Sequence, residues 1–233
     1  EIDSMNEVGI IILAAGQGKR MRSSLPKVMH PLCGKPLFLH VLTTAKRLTP
    51  GKVVIIIGHG AEAVKQAYPN DDVTWIVQEQ QLGTGHAVLC AENAFREFAG
   101  DVLILSGDVP LISRQTLNAI IHWHRQRNAS LTLLTASLKE PRGYGRVLRH
   151  SDGEIAAIVE ERDTTDAQQR IEEVNAGIYV TSAPLLFSAL EKVKNHNEQG
   201  EYYLPDVVAI ALKQGKRIAT MKVDDAREVM GIN

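Results

Sequence analysis

Cysteine is scarce in this sequence: Cys33 and Cys90 are the only two among 233 residues, and they form no Cys-x-x-Cys unit. That argues against a disulfide framework and against a structural zinc site, and a reducing cytoplasm is the compartment that fits. Both thiols are expected to be buried or half-buried. An excess of charge of one sign is also lacking. The 26 Lys+Arg against 27 Asp+Glu leave a formal net charge of −1. Such a balance gives no support to bulk wrapping of nucleic acid, although it leaves room for a local basic site facing a phosphorylated small molecule. No apolar run approaches the roughly 20 residues of a membrane span. No charged-then-apolar leader opens the chain, so secretion is not expected. Internal repeats, low-complexity tracts and Pro/Ser-rich linkers are absent. Glu1 to Ser4, ahead of Met5, read as a cloning remnant, and residues 1–7 as a disordered or appended start outside the domain.

What is present is enough apolar material, 44% of the chain, for a sizeable core. Strands of continuous β-branched character are expected at 9–14, 52–57, 73–77, 102–105 and 130–138, as suits strands buried on both faces of a parallel sheet. Helices are expected at 36–48 (with Pro36 in the first turn), 61–68, 85–98 and from the Ser113 cap to about 127. This alternation predicts right-handed βαβ units. The second half changes character. A hairpin is expected from 146–150 and 154–160, then a strand at 174–181, helices at 184–193 and 204–213, and a last strand at 217–223. The predicted fold is one α/β domain over 8–233, with a Rossmann-like, mostly parallel mixed sheet flanked by helices and a hairpin-containing acceptor lobe. His122 and His124, two apart on a helix, read as a solvated surface rather than a metal pair.

The chemistry concentrates at strand ends. Leu13-Ala-Ala-Gly-Gln-Gly-Lys-Arg20 follows the first strand, and its small residues and glycines let backbone N–H groups approach an anion. It is neither a Walker loop nor a dinucleotide fingerprint, because Gly-Lys-Ser/Thr is absent and Met21 stands where a small residue is needed. Pro26-Lys27 comes next, a lysine held by a stiff loop. Gln78-Glu-Gln-Gln-Leu-Gly-Thr-Gly-His86 offers a glutamine that can donate to and accept from a base edge, as the imide of uracil requires. Ser106-Gly107-Asp108 ends the fourth strand, where ligands gather in open α/β sheets and where a carboxylate suits Mg²⁺. Gly58-His-Gly-Ala-Glu-Ala63, with Glu79 about twenty residues on, is a rival dinucleotide motif and would point to an oxidoreductase. It follows the second strand rather than the first, and an ordinary strand-to-helix turn explains it better.

Taken in order, Leu13-x-x-Gly-x-Gly-x-Arg20 with Pro26-Lys27, Gln81-Leu-Gly-Thr-Gly-His-Ala87, Gly107-Asp-Val-Pro-Leu111, Gly143-Tyr-Gly-Arg146, Val174-Asn-Ala-Gly177 and Glu201-Tyr-Tyr203 resemble the sugar-1-phosphate nucleotidyltransferases. The likeness is strongest to the uridylyltransferase half of the bifunctional N-acetylglucosamine-1-phosphate uridylyltransferase/glucosamine-1-phosphate acetyltransferase family. The resemblance implies the nucleotide-diphospho-sugar transferase fold, Mg²⁺ as cofactor, and UTP and N-acetylglucosamine-1-phosphate as substrates. The products would be UDP-N-acetylglucosamine, for peptidoglycan and lipopolysaccharide precursors, and pyrophosphate. It further implies that Leu13, Ala14, Ala15 and Gly16 hold the nucleotide, that Arg20 and Lys27 bind its phosphates, and that Gln78, Gly83 and Thr84 read uracil. Asp108 and Asn233 would bind the metal. Ser106, Gly107, Gly145, Glu160, Asn175 and Tyr203 would line the acceptor side, with Arg20, Lys27 and Asp108 catalytic. The chain departs from the family at Pro205, where threonine is usual, and at Arg162, where lysine is frequent. The family's left-handed β-helix, which carries the acetyltransferase and forms homotrimers, has no counterpart among these residues. Two alternatives remain: a related enzyme using another sugar phosphate, and a catalytically silent nucleotide-sugar-binding module.

Overall fold

The computed structural model describes residues 7–16, 18, 21–70 and 72–232. Seven strands lie in the order β11-β7-β10-β6-β1-β4-β5. They are β1 (Val8–Ala14), β4 (Lys52–Ile57), β5 (Thr74–Val77), β6 (Asp101–Ser106), β7 (Leu131–Ser137), β10 (Glu173–Ser182) and β11 (Ile218–Lys222). β1 pairs in parallel with both β4 and β6, β4 with β5, and β7 with β11. Only β10 on this path runs the other way, antiparallel to β6 and β7. The sheet is therefore mixed and mostly parallel, as the alternation of elements implied. The hairpin of β8 (Arg146–Arg149) and β9 (Ile155–Val159) hangs from β10 through the Val174–Arg146 pair.

Helices cover both faces. Ile10 and Ile12 of β1 pack with α1 (Leu37–Lys46) and α5 (Arg114–Gln126) on one side. Ile11 packs with α3 (Thr84–Leu89), α4 (Glu92–Phe95), α7 (Ala183–Leu190) and α8 (Asp206–Lys213) on the other. All three isoleucines are 0% exposed, which is why the strand carries no polar alternation. Strand order reverses at β1: β4 and β5 lie on one side and β6 on the other. The crevice at the carboxyl ends of β1 and β6 is thus the topological switch point, where open α/β sheets bind ligands. No described helix is long and apolar enough to cross a membrane.

Several expectations are corrected. The helix expected over 85–98 is two helices, interrupted at residues 90–91, where Ala91 stands at φ −86° and ψ −1°. Pro36 belongs to the short strand β3 (Lys35–Pro36) and caps α1 rather than entering its first turn. β3 pairs with β2 (Pro31–Leu32) around Cys33 and Gly34, both at positive φ. That turn puts Cys33 in solvent, not in the interior. His124 is not a surface residue: it is 6% exposed and its Nδ1 lies 2.8 Å from the Thr132 hydroxyl. It continues the inward stripe of Leu117, Ile120 and Ile121, and burial lowers its pKa. The Glu7 carbonyl accepts from the Asp101 N–H at 3.1 Å. Two short helices are α2 (Ala61–Gln66) and α6 (Asp166–Gln169), and 3-10 turns lie at Glu161–Asp163 and Ala226–Val229.

Candidate active site

The first loop and the end of β6 meet directly. The Gly107 N–H donates to the Leu13 carbonyl at 2.8 Å. A Cβ at Gly107 would stand 2.9 Å from that oxygen and 3.3 Å from Val28, so only glycine lets the two strand ends approach this closely. Ala14 and Ala15 are buried beneath the loop, whereas Gly16 is exposed, with open space among the described residues where a Cβ would lie. Gly18 (φ +62°) packs on Lys27, and Pro26 leads into a 3-10 turn, Lys27–Met29, pinned by buried Val28. That turn delivers the Lys27 ammonium to the Asp108 carboxylate as an ion pair, with side chains 15% and 22% exposed. A cation and a hard oxygen ligand therefore share one partly solvated point at the switch. Arg20 and Asn233, both expected here, lie outside the described residues. The segment leading to Asn233 does return to this point: the Ile232 N–H donates to the Asp108 carbonyl at 2.9 Å, and the Gly231 N–H to the Tyr144 hydroxyl at 3.0 Å.

Gln78, at the end of β5, is 3% exposed. Its Nε2 donates to the Gly83 carbonyl at 3.1 Å and approaches His86 Nδ1 at 2.9 Å. The glutamine thus shapes the loop after β5 from inside. Gly83 and Thr84 have a job the sequence did not announce. The Tyr202 N–H donates to the Leu82 carbonyl, and the Gly85 N–H to the Tyr202 carbonyl, both at 2.8 Å. The Leu204 N–H donates to the Thr84 hydroxyl at 3.0 Å. The Gly-Thr-Gly run therefore fastens the loop to residues 202–204 of the second half.

Several of the residues expected on the acceptor side lie around β10. Gly177 (φ +71°) makes a bulge between Asn175 and Tyr179, and a Cβ there would lie 3.2 Å from the Ser106 hydroxyl. Asn175, 7% exposed, holds the bulge: its Oδ1 accepts from the Gly177 N–H at 3.1 Å and its Nδ2 donates to the Tyr179 hydroxyl at 2.6 Å. Its backbone N–H donates to Gly145 at 2.9 Å, and Gly145 would meet Glu160 Oε1 at 3.2 Å if it carried a Cβ. Glu160 is pushed up to about 7, first by burial and then by Asp206, Asp163, Glu161 and Glu201. Burial also raises the Tyr203 hydroxyl to about 12, and that hydroxyl accepts from Gln199 at 2.8 Å. Ser106, Gly177, Asn175, Gly145 and Glu160 are thus neighbours in series, and Tyr203 is joined to them through the charge of Glu160, which helps to raise its hydroxyl. Pro205 is buried at the cap of α8, and Arg162 is exposed.

The rival glycine motif has a packing explanation. A Cβ at Gly60 would lie 2.3 Å from Pro26, and one at Gly58 2.9 Å from the Ala15 carbonyl. These glycines seat the β4–α2 turn against the first loop, and Glu79 points to solvent as an exposed residue.

A strand-end loop, a lysine and a carboxylate meeting at the switch point of an open sheet are the arrangement of a nucleotide-handling α/β protein. Residues 10–200 match the MobA-like NTP transferase domain, and the chain belongs to that family. It is 48% identical over 230 residues to the bifunctional protein GlmU of Geobacter sulfurreducens, covering 98% of this chain and 48% of the relative. With the bifunctional protein GlmU of Brevibacillus brevis it shares 44% identity, over 98% of this chain and 50% of the relative. The chain spans about half the length of these relatives. Its fold also resembles that of a UDP-glucose pyrophosphorylase solved with UDP-glucose, with a TM-score of 0.75 at 18% identity, covering 94% and 90% of the two chains.

Proposed function

We propose that this domain transfers a uridylyl group from UTP to N-acetylglucosamine-1-phosphate. A phosphate oxygen of the acceptor forms a bond to the α-phosphorus of UTP, the α–β anhydride bond breaks, and pyrophosphate leaves with that electron pair. The acceptor phosphate is ionised at neutral pH, so no general base is needed and catalysis rests on positioning and charge stabilisation. The observation that carries this reading is the Lys27–Asp108 pair beside the Leu13–Gly107 contact at the switch point.

In this reading the backbone of Leu13, Ala14, Ala15 and Gly16 cradles the phosphates, with Lys27 and Arg20 neutralising them. The loop that Gln78 braces from inside, with Gly83 and Thr84, would meet uracil. Ser106, Gly107, Gly145, Glu160, Asn175 and Tyr203 receive the acceptor. The residues fit Mg²⁺: Asp108 offers a partly exposed carboxylate, and Mg²⁺ needs only one or two of these when phosphates supply the rest. Asp108, with Asn233, would hold the ion. When bound, the ion would supply positive charge against the negative charge developing in transfer. Lys27, which pairs with Asp108, would turn to the incoming phosphates. The longer family protein we read as a cytoplasmic homotrimer assembled through its β-helix.

A pyrophosphate-release assay tests this with UTP, CTP, dTTP and ATP against N-acetylglucosamine-1-phosphate, glucose-1-phosphate and galactose-1-phosphate. UTP with N-acetylglucosamine-1-phosphate should lead by at least about tenfold, since one unpaired buried group costs about 1–3 kcal/mol. Asp108→Ala should lose at least about 100-fold in kcat, as befits loss of charge stabilisation, while melting near the wild type. A different leading pair, or an active Asp108→Ala, would overturn the assignment.

A further inference from the structure

Arg146 is the largest fully buried side chain among the described residues, 2% exposed, and its Nε has no hydrogen-bond partner. An arginine buried with a donor unsatisfied is poor packing, and an apolar residue of similar volume would serve the core better. Its other nitrogens are engaged. Nη1 donates to the Tyr144 carbonyl, and Nη2 faces Glu161 Oε1 at 3.8 Å. These two partners each stand one residue from a residue of the acceptor pocket: Tyr144 precedes Gly145, and Glu161 follows Glu160. Gly145 and Glu160 themselves are in contact range, with 3.2 Å from a Gly145 Cβ to Glu160 Oε1. The Arg146 backbone pairs with Val159 of β9 and Val174 of β10, so the side chain grows from the junction of all three strands.

We propose that Arg146 is a positioning residue for the acceptor, its rigid guanidinium tying the carbonyl before Gly145 to the carboxylate after Glu160 and so fixing the width of the sugar pocket. The inference rests on the reading of that pocket given above. A planar fork with donors at fixed angles can set such a spacing, which a flexible ammonium cannot. On the far side of the pair, Lys139, Arg142 and Arg170 line a cleft of about 930 Å³ together with Arg146 and Glu161. Without the arginine, Glu161 has room to swing into this cleft, taking the backbone beside Glu160 with it. Arg146 also offsets the charge of Glu161. Glu160 already feels Asp206, Asp163, Glu161 and Glu201, and removing the neighbouring cation strengthens that repulsion. Glu160 then holds its proton to higher pH. The nucleotide side is built on β1, β5 and α3 and does not depend on this clamp.

The test compares Arg146→Met and Arg146→Lys with the wild type in thermal melts and in kinetics that vary acceptor and UTP separately. A carbon-13 NMR titration of the Glu160 carboxyl in the ligand-free protein accompanies them. Arg146→Met should fold with an unchanged or raised melting temperature. Its acceptor KM should rise at least about tenfold, in line with the cost of a misplaced positioning group, with the UTP KM within about twofold of wild type. Arg146→Lys should recover the Glu160 titration but only part of the acceptor KM. Unchanged acceptor KM and unchanged Glu160 titration in Arg146→Met would overturn the proposal. So would a lowered melt with kcat and both KM values degraded together, since that is the mark of a purely structural role. A wild type inactive on every sugar phosphate would sink the functional reading instead, and the NMR titration would then decide the clamp alone.

Discussion

Gly83 offers the sharpest perturbation, because two separable costs fall on it. Its φ of 109° and ψ of 173° lie in a region essentially reserved for glycine, and an alanine there costs about 1–3 kcal/mol. A Cβ would also stand 2.6 Å from the Tyr202 carbonyl and 2.9 Å from the Tyr202 nitrogen, both backbone atoms that cannot step aside cheaply. Relieving that clash means parting the loop from residue 202, which breaks the two 2.8 Å bonds of Leu82 and Gly85 to Tyr202. At roughly 1 kcal/mol each, these bring the total for Gly83→Ala to about 3–5 kcal/mol. For a domain of this size that is a fall of roughly 10 °C in melting temperature. Gly153→Ala is the control: its φ is +89° but nothing lies within 4 Å, so it carries the backbone cost alone. Circular-dichroism melts of the two variants isolate the docking energy, and UTP titration should show a weakened KM for Gly83→Ala. If Gly83→Ala melted within about 2 °C of Gly153→Ala, the loop and residues 202–204 would be energetically independent and the reasoning wrong.

The reverse case is Gly16→Ala, where the added methyl meets no described atom. Its melting temperature should stay within about 2 °C of wild type while UTP KM rises several-fold; an unchanged KM would remove Gly16 from the phosphate cradle. Glu160, raised to about 7, should govern acceptor use. A carboxylate accepts from a hydroxyl or acetamide N–H where the protonated acid competes as a donor, so acceptor kcat/KM should rise as pH climbs through 7, and Glu160→Gln should flatten that limb. The same shift stabilises the fold fully below about 4.5 and is lost as pH rises through about 7, so Glu160→Gln should also reduce the alkaline decline in melting temperature. Tyr144→Phe removes the acceptor of the Gly231 N–H and frees the segment lying on Asp108. It should raise the Mg²⁺ concentration needed for half-maximal rate and speed amide exchange at Gly231, with little change in melting temperature; unaltered exchange would refute the clasp.

Strands were the most legible part of the fold, because those buried on both faces show as unbroken apolar runs. β4 occupies the same residues that its run of Val and Ile marks out. The direction of β10 was not legible: apolar pattern records burial, not orientation, and β10 looks like its parallel neighbours until its partners are known. The break at Ala91 was hidden because Ala87, Val88, Ala91 and Phe95 all face inward at helical spacing across the interruption. His124 was misjudged because an imidazole on a helix gives no sign of which face is covered. At the site, the loop after β1 meets the end of β6 through the Gly107–Leu13 bond and the Lys27–Asp108 pair. What sequence could not convey was the second duty of several residues, since contacts over more than a hundred positions, such as Thr84 to Leu204, leave no local mark.

The fastening of residues 82–85 to 202–204 bears on how such a domain can be re-engineered. The loop after β5, which we propose faces the base, would arrive from a relative without the edge on which it is moulded. The Tyr202 backbone, and with it the small residues at 83 and 85, forms a single interlocking part that chain distance disguises as two. Chimeras that exchange both segments together should inherit the donor's nucleotide preference, whereas exchange of either alone should yield a misfitted joint, so altered base choice travels with a stretch of chain far from the base.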